Sequence, residues 1–161
     1  LMSGKGKLIL TGQLGNVMKE SAQAALSYAR SHAKTFNVDP KKFVNYDLHI
    51  HVPAGAVPKD GPSAGITILT SIFSVLTERP INHRYAMTGE IDLRGHVMPI
   101  GGVKEKLLAA KRNNIQHIIL PAQNKKDISD VEQELLNGID IIWVEQADEV
   151  LHQVLLNPSP V

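Results

Sequence analysis

Residues Ser63 to Leu76 form a near-continuous apolar run in which only small hydroxyl side chains interrupt the aliphatic ones. Such a run predicts a helix with no polar face, and a helix of that kind has to be enclosed by other elements. This demand constrains the whole chain, because whatever flanks the run must wrap it. The run is entered through Pro58-Lys59-Asp60-Gly61-Pro62-Ser63-Ala64-Gly65. That turn presents one serine between small residues, with a hydroxyl and a nearby backbone open to chemistry.

The flanks alternate between the two periodicities. Lys7–Thr11 reads as a strand, and Gly12 and Gly15 make a turn. An amphipathic helix follows from Asn16, with Val17, Ala24, Ala25, Tyr28 and Ala29 near helical spacing, and ends before Asn37-Val38-Asp39-Pro40. Tyr46–Val52 alternates, placing Leu48, Ile50 and Val52 on one strand face and His49 and His51 on the other. Pro53–Pro62 is a loop. Beyond the apolar helix, Tyr85–Thr88 is a strand, and Ile91–Leu93 and His96–Met98 bracket an Arg94-Gly95 turn. Gly101-Gly102 opens a helix over Val103–Arg112, Gln116–Leu120 is a strand stopped by Pro121, and Asn124–Leu136 holds short helical turns. Ile139–Val144 is a further strand, Ala147–Leu156 a closing helix, and Asn157–Pro160 a frayed tail. Strands alternating with helices predict an α/β fold, and 161 residues suffice for one domain with a sizeable core, spanning 1–161.

Charge and composition narrow the function classes. Seventeen Lys and Arg against 16 Asp and Glu leave a formal charge of +1, which makes no electrostatic case for nucleic acid or an anionic membrane surface. No apolar run reaches the roughly 20 residues a bilayer span needs. The absence of cysteine removes disulfides, thiolate nucleophiles and cysteine-ligated zinc. No signal peptide precedes the fold, and the Leu1-Met2 start reads as that of a fragment. There is no G-x-x-x-x-G-K-[ST] segment, hence no Walker-type ATP site.

Gly61-Pro62-Ser63-Ala64-Gly65 matches the G-x-S-x-G nucleophile elbow. The plainer reading is that Asp60 or Ser63 caps the following helix, with Pro62 near its first position. The two are compatible, since free N–H groups at a helix start can also stabilise an oxyanion. A serine needs a base. An α/β-hydrolase order would use Asp140 and His152, but Pro58 and Pro62 interrupt the strand that should lead into the elbow. A lysine base needs burial to shed its proton near neutrality. Lys106 has Val103, Ala109 and Ala110 as helical neighbours, and Lys104 is similarly placed, so periodicity does not choose between them. Either could equally be a solvated lysine on an amphipathic helix. His49 and His51 share a face but find no third metal ligand, which leaves hydrogen bonding or a site-lining role. Thr88-Gly89-Glu90 ends a strand with a hydroxyl and a carboxylate, or simply turns the chain.

Several blocks taken together resemble the proteolytic domain of the Lon family of ATP-dependent proteases. They are Leu10–Gly15 with Val17–Ser21, His49–Pro53, Pro58–Gly65, Met87–Glu90, Leu93–Gly95, Pro99–Lys106, and Leu120-Pro121 with Asn124–Asp127. The likeness is colinear over nearly the whole chain. It implies a Lon-type proteolytic fold with mixed sheets and packed helices. It also implies a Ser–Lys dyad with Ser63 as nucleophile and Lys106 as general base. Thr88 matches a threonine that positions the lysine amine, and Asp60 an acidic residue that shapes the site in active and inactive arrangements. His51 and Glu90 match residues close to the dyad or its neighbouring interface.

The resemblance further implies unfolded polypeptide substrates, including misfolded and regulatory proteins, a homohexamer, and a cytoplasmic location. It implies no cofactor in this domain, with ATP and magnesium at an ATPase module that this chain lacks, together with the N-terminal region and the short segment before Gly4–Lys7. One departure is Ala54, where bacterial members commonly carry glutamate. Two other readings stand beside this one: an inactive assembly module that holds Ser63 and Lys106 apart, and a hydrolase that uses His152.

Overall fold

The computed structural model describes residues 1–158. Its elements run β1 (Met2–Ser3), β2 (Leu8–Thr11), α1 (Asn16–Ser31), α2 (Lys42–Asn45) and β3 (Tyr46–His51). They continue with α3 (Gly65–Thr77), β4 (Tyr85–Met87), β5 (Glu90–Ile91), β6 (Val97–Met98) and α4 (Val103–Arg112). The last are β7 (His117–Pro121), a 3-10 segment (Ala122–Asp130), α5 (Gln133–Leu136), β8 (Asp140–Val144) and α6 (Ala147–Val154). The fold is mixed α/β, as the patterning predicts. β1 and α2 are additions, each too short to show a period.

Three small sheets carry the strands. β3 lies between β1, antiparallel, and β2, parallel. β5 and β6 form an antiparallel hairpin. β4, β7 and β8 make a parallel sheet in the order β4-β7-β8. Parallel strands need covering on both faces, and this sheet obeys that rule residue by residue. Met87, Ile119, Ile142 and Val144 face a core shared with α1, α3 and α6. Ala86, Ile118, Leu120, Ile141 and Trp143 face a second core shared with α4 and α5.

The apolar run does become the central helix of the first core, with Ile66, Leu69 and Phe73 at 0% exposure. Each such side chain contributes about 1.5–3 kcal/mol by leaving water. The buried Thr70 hydroxyl donates to the Ile66 carbonyl one turn back, at 2.8 Å, so its polarity is met inside the helix. Enclosure is not complete, however. Thr67, Ser71 and Val75 form an exposed stripe on α3. The expected helix start also moves: α3 begins at Gly65, with Ser63 and Ala64 in a turn before it.

Helix α1 presents Met18, Ala22, Ala25 and Ala29 inward, and the three alanines let it lie close against α3. Val17, expected on the buried face, is 45% exposed because it precedes this stripe by one position, about 100° away around the helix. Leu48, Ile50 and Val52 face the core as expected, with His49 and His51 outward. The chain is held as far as Leu156, whose N–H donates to the Pro80 carbonyl. Of the expected frayed tail, Asn157–Pro160, residues 159 and 160 lie outside those described.

Candidate active site

The turn carrying Ser63 is fastened to the chain just past β4. The Ser63 carbonyl accepts the Gly89 N–H at 2.9 Å and the Thr88 hydroxyl at 3.1 Å, and the Ile66 N–H donates back to the Gly89 carbonyl at 3.0 Å. Glycine is required at 89, where a Cβ would lie 2.6 Å from the Val97 side chain. Thr88 is buried, so its hydroxyl has a structural task at the Ser63 backbone.

Asp60 does not cap the helix that follows it. Its carboxylate accepts the N–H groups of Met18 at 2.9 Å and Gly61 at 2.8 Å, so it caps α1 across 42 residues of sequence. Gly15 occupies the N-cap position of α1, and a Cβ there would fall 2.2 Å from the Asp60 Cγ. The carboxylate fills the place of the missing side chain. The Met18 N–H above all, then that of Gly61, holds the Asp60 carboxyl below its ordinary value. Ser63 does not cap α3 either, and Pro62 lies before its first turn. The Ser63 hydroxyl is thereby left free of the helix.

Helix α4 brings the lysine. Its approach is held by Asn124, 1% exposed, whose side-chain amide accepts the Ile100 N–H at 3.0 Å and donates to the Ile100 carbonyl at 2.8 Å. Val103, Leu107 and Ala110 seat the helix on the second core. Lys106, half-buried, then directs its Nζ to the Ser63 Oγ at 3.3 Å. That is the outer end of hydrogen-bond distance, as uncomplexed catalytic pairs commonly show. Lys104, exposed, pairs with Glu132 at 2.6 Å instead. The two lysines that periodicity could not separate therefore have different partners.

Ser63 and Lys106 stand at a cavity of about 450 Å³. Its remaining walls are largely apolar, formed by Ala64, Ala86, Met87, Ala109, Ala110, Ile115 and Ile118, with Thr67, Thr88 and Asn113 among them. The cavity was not foreseen, because its walls come from α3, β4, α4 and β7, and alanines carry no signal of their own. Among the N–H groups at the α3 start, Gly65 is bonded to the Pro62 carbonyl and Ile66 to Gly89. Those of Ser63 and Ala64 have no protein acceptor among the described residues.

The Ser–His–Asp alternative is not assembled. Asp140 bonds His117 at 3.1 Å, while His152 is exposed beside the Phe36 ring. Neither lines the Ser63 cavity. No group of three or more potential metal-ligating side chains occurs among the described residues, nor a helix long and apolar enough to cross a membrane.

Residues 1–157 match the family model described as the Lon protease (S16) C-terminal proteolytic domain. This chain belongs to the Lon protease family. It is 60% identical over 157 residues to Lon protease 2 of Desulfotalea psychrophila, covering 98% of this chain and 20% of that protein. It is 56% identical to the Lon protease of Desulfatibacillum aliphaticivorans, over 97% of this chain and 19% of the relative. With Lon protease 1 of Myxococcus xanthus the identity is 54%, over 99% and 20%. The chain thus spans about a fifth of the length of the Lon relatives it matches.

The other residues singled out by likeness to Lon lie outside the cavity walls. His51 and His49 both turn to the Thr11 hydroxyl, at 2.8 and 2.9 Å, so the pair is a hydrogen-bonded cluster on the exposed face of β3. Glu90 begins β5, opposite Met98, one residue after the Gly89 that holds Ser63. Ala54, expected as a departure from the family pattern, has φ 65° and an exposed side chain. Its carbonyl accepts the Lys59 ammonium at 2.9 Å, a polar contact made by the main chain of the loop and not by a side chain.

Proposed function

We propose that this chain is a serine endopeptidase domain in which Ser63 and Lys106 form the catalytic dyad. The observation that carries the reading is the Lys106 amine 3.3 Å from the Ser63 hydroxyl, at the mouth of an apolar cavity. In its neutral form the amine accepts the Ser63 proton as Oγ attacks a peptide carbonyl carbon. The N–H groups of Ser63 and Ala64 are free to receive the developing oxyanion. The Lys106 ammonium passes its proton to the leaving amine nitrogen as the C–N bond breaks, leaving an ester on Ser63. Water then attacks the ester carbonyl carbon and gives a proton to Lys106, which passes it to the Ser63 Oγ as the ester C–O bond breaks, releasing the acid and restoring the hydroxyl.

Thr88 holds the Ser63 backbone during these steps. Asp60 holds the preceding turn. The alanine-lined cavity suits an apolar side chain next to the scissile bond, which an unfolded polypeptide in extended form can supply. The same reading carries a cytoplasmic homohexamer acting on unfolded, misfolded and regulatory proteins. ATP and magnesium belong to a module outside this chain.

A serine-directed covalent probe tests the reading. Mass spectrometry is expected to find the adduct on Ser63, with none in Ser63→Ala or Lys106→Ala. Labelling or peptide cleavage by Lys106→Ala at the parental rate sinks the dyad. An unlabelled parent chain supports the inactive assembly module in its place.

A further inference from the structure

The geometry points to Lys59 as a positioning residue for Ser63, an inference that rests on the dyad reading. The Lys59 ammonium donates to three backbone carbonyls: Gly12 at 2.8 Å, Ala54 at 2.9 Å and Val57 at 2.8 Å. An ammonium has three N–H donors, so its capacity is filled, and filled by main chain alone. No carboxylate pairs with it among the described residues. It acts as a tethered cation around which the loop from Pro53 to Pro58 closes, and it ties that loop to the turn after β2.

The backbone of the same residue is stitched as well. The Lys59 N–H donates to the Gln13 carbonyl at 2.9 Å, and its carbonyl accepts the Gly15 N–H at 2.7 Å. The next residue is Asp60, the cap of α1, and Ser63 follows four positions after Lys59. The clamp therefore fixes the upstream end of the nucleophile turn, while Thr88 and Gly89 fix its downstream end. Ala54 and Val57 are exposed, so without the ammonium their carbonyls turn to water. Losing the clamp loosens the loop without opening a core. Its signature is a slower chemical step at nearly unchanged thermal stability and substrate binding.

The test uses Lys59→Met, which keeps the length and removes the donors, and Lys59→Arg, which restores charge and N–H groups. Each is compared with the parent for covalent labelling of Ser63, peptide kcat and KM, melting temperature, and amide hydrogen exchange at Gly15 and Val57. Lys59→Met is expected to lower kcat and labelling by about tenfold or more. KM is expected to stay within about twofold, the effect being one of geometry and not of uniform binding. Faster exchange at the two amides and partial recovery in Lys59→Arg are also expected. Parental labelling in Lys59→Met overturns the inference alone, as does a loss that Lys59→Arg leaves untouched or that follows the melting temperature. A parent chain that the probe does not label at Ser63 overturns the dyad reading, and this inference with it.

Discussion

Ser63 and Lys106 meet from opposite faces of one three-stranded sheet, and the two faces hold their residues by different means. On the serine side, the turn is hydrogen-bonded at both ends: to the Thr88 hydroxyl and the Gly89 N–H downstream, and through Lys59 and Asp60 to the start of α1 upstream. Behind it lies the larger core, shared by α1, α3 and α6. On the lysine side, α4 rests on the smaller core through Val103, Leu107 and Ala110. Its side-chain ties to the segment around α5, Lys104 to Glu132 and Lys111 to the Glu134 carbonyl, lie on exposed residues. Ser63 is thus placed by hydrogen bonds of fixed direction, and Lys106 by a helix seated mainly through apolar packing, with Asn124 holding its approach. The difference predicts where the site is adjustable: the 3.3 Å between Lys106 Nζ and Ser63 Oγ is expected to change most readily by movement of α4.

The largest expected effect separates the two lysines of α4. Lys106→Ala is expected to lower Ser63 acylation by about a thousandfold or more, while Lys104→Ala keeps the parental rate in the same labelling assay. Equal losses would break the assignment of the base. Next come the two cores. Phe73→Ala is expected to cost about 3–5 kcal/mol and Leu107→Ala about 2–5 kcal/mol in denaturant unfolding. Well below the melting temperature, Phe73→Ala should still label at Ser63, whereas Leu107→Ala should label more slowly because it loosens the helix that carries Lys106. The opposite pattern would place the softness on the serine side.

A smaller effect belongs to Asp60. Its folded-state pKa is depressed by the N–H groups of Met18 and Gly61. Its contribution is therefore complete above the unfolded carboxylate value, about 3.9, and is lost as pH falls through the lower folded value. Asp60→Ala should melt below the parent at pH 7, and the gap should close under strongly acidic conditions. A gap constant across that range would remove the charge from the account. The smallest effect is at Glu132, an exposed partner of Lys104. Glu132→Gln should leave both melting temperature and labelling within replicate scatter.

Much of the scaffold was legible. Gly101-Gly102 marks the start of α4, Val103–Arg112 gives its full extent, and the alternation in Tyr46–Val52 sets the two faces of β3. Local pattern fails where a partner comes from far along the chain. Asp60 reads as a cap for the helix beside it, yet it caps α1, because its choice is made through space and the absent side chain at Gly15 makes the room. The helical wheel of α4 treats Lys104 and Lys106 alike. Their difference lies in Glu132 on one side and Ser63 on the other, neither of them on α4. Lys59 showed nothing in sequence beyond a lysine in a loop, since its partners are carbonyls, which every residue has.

The long reach of Asp60 has a bearing on synthesis. A ribosome delivers α1 well before the carboxylate that finishes its first turn, 42 residues later. Until then the Met18 N–H at the helix start lacks its carboxylate acceptor. Ser63 follows Asp60 by three positions and Lys106 follows Ser63 by 43, so the two side chains that meet at 3.3 Å are both made after α1. The order along the chain is thus helix, cap, serine and lysine, and the contact between Ser63 and Lys106 is the last of these to become possible.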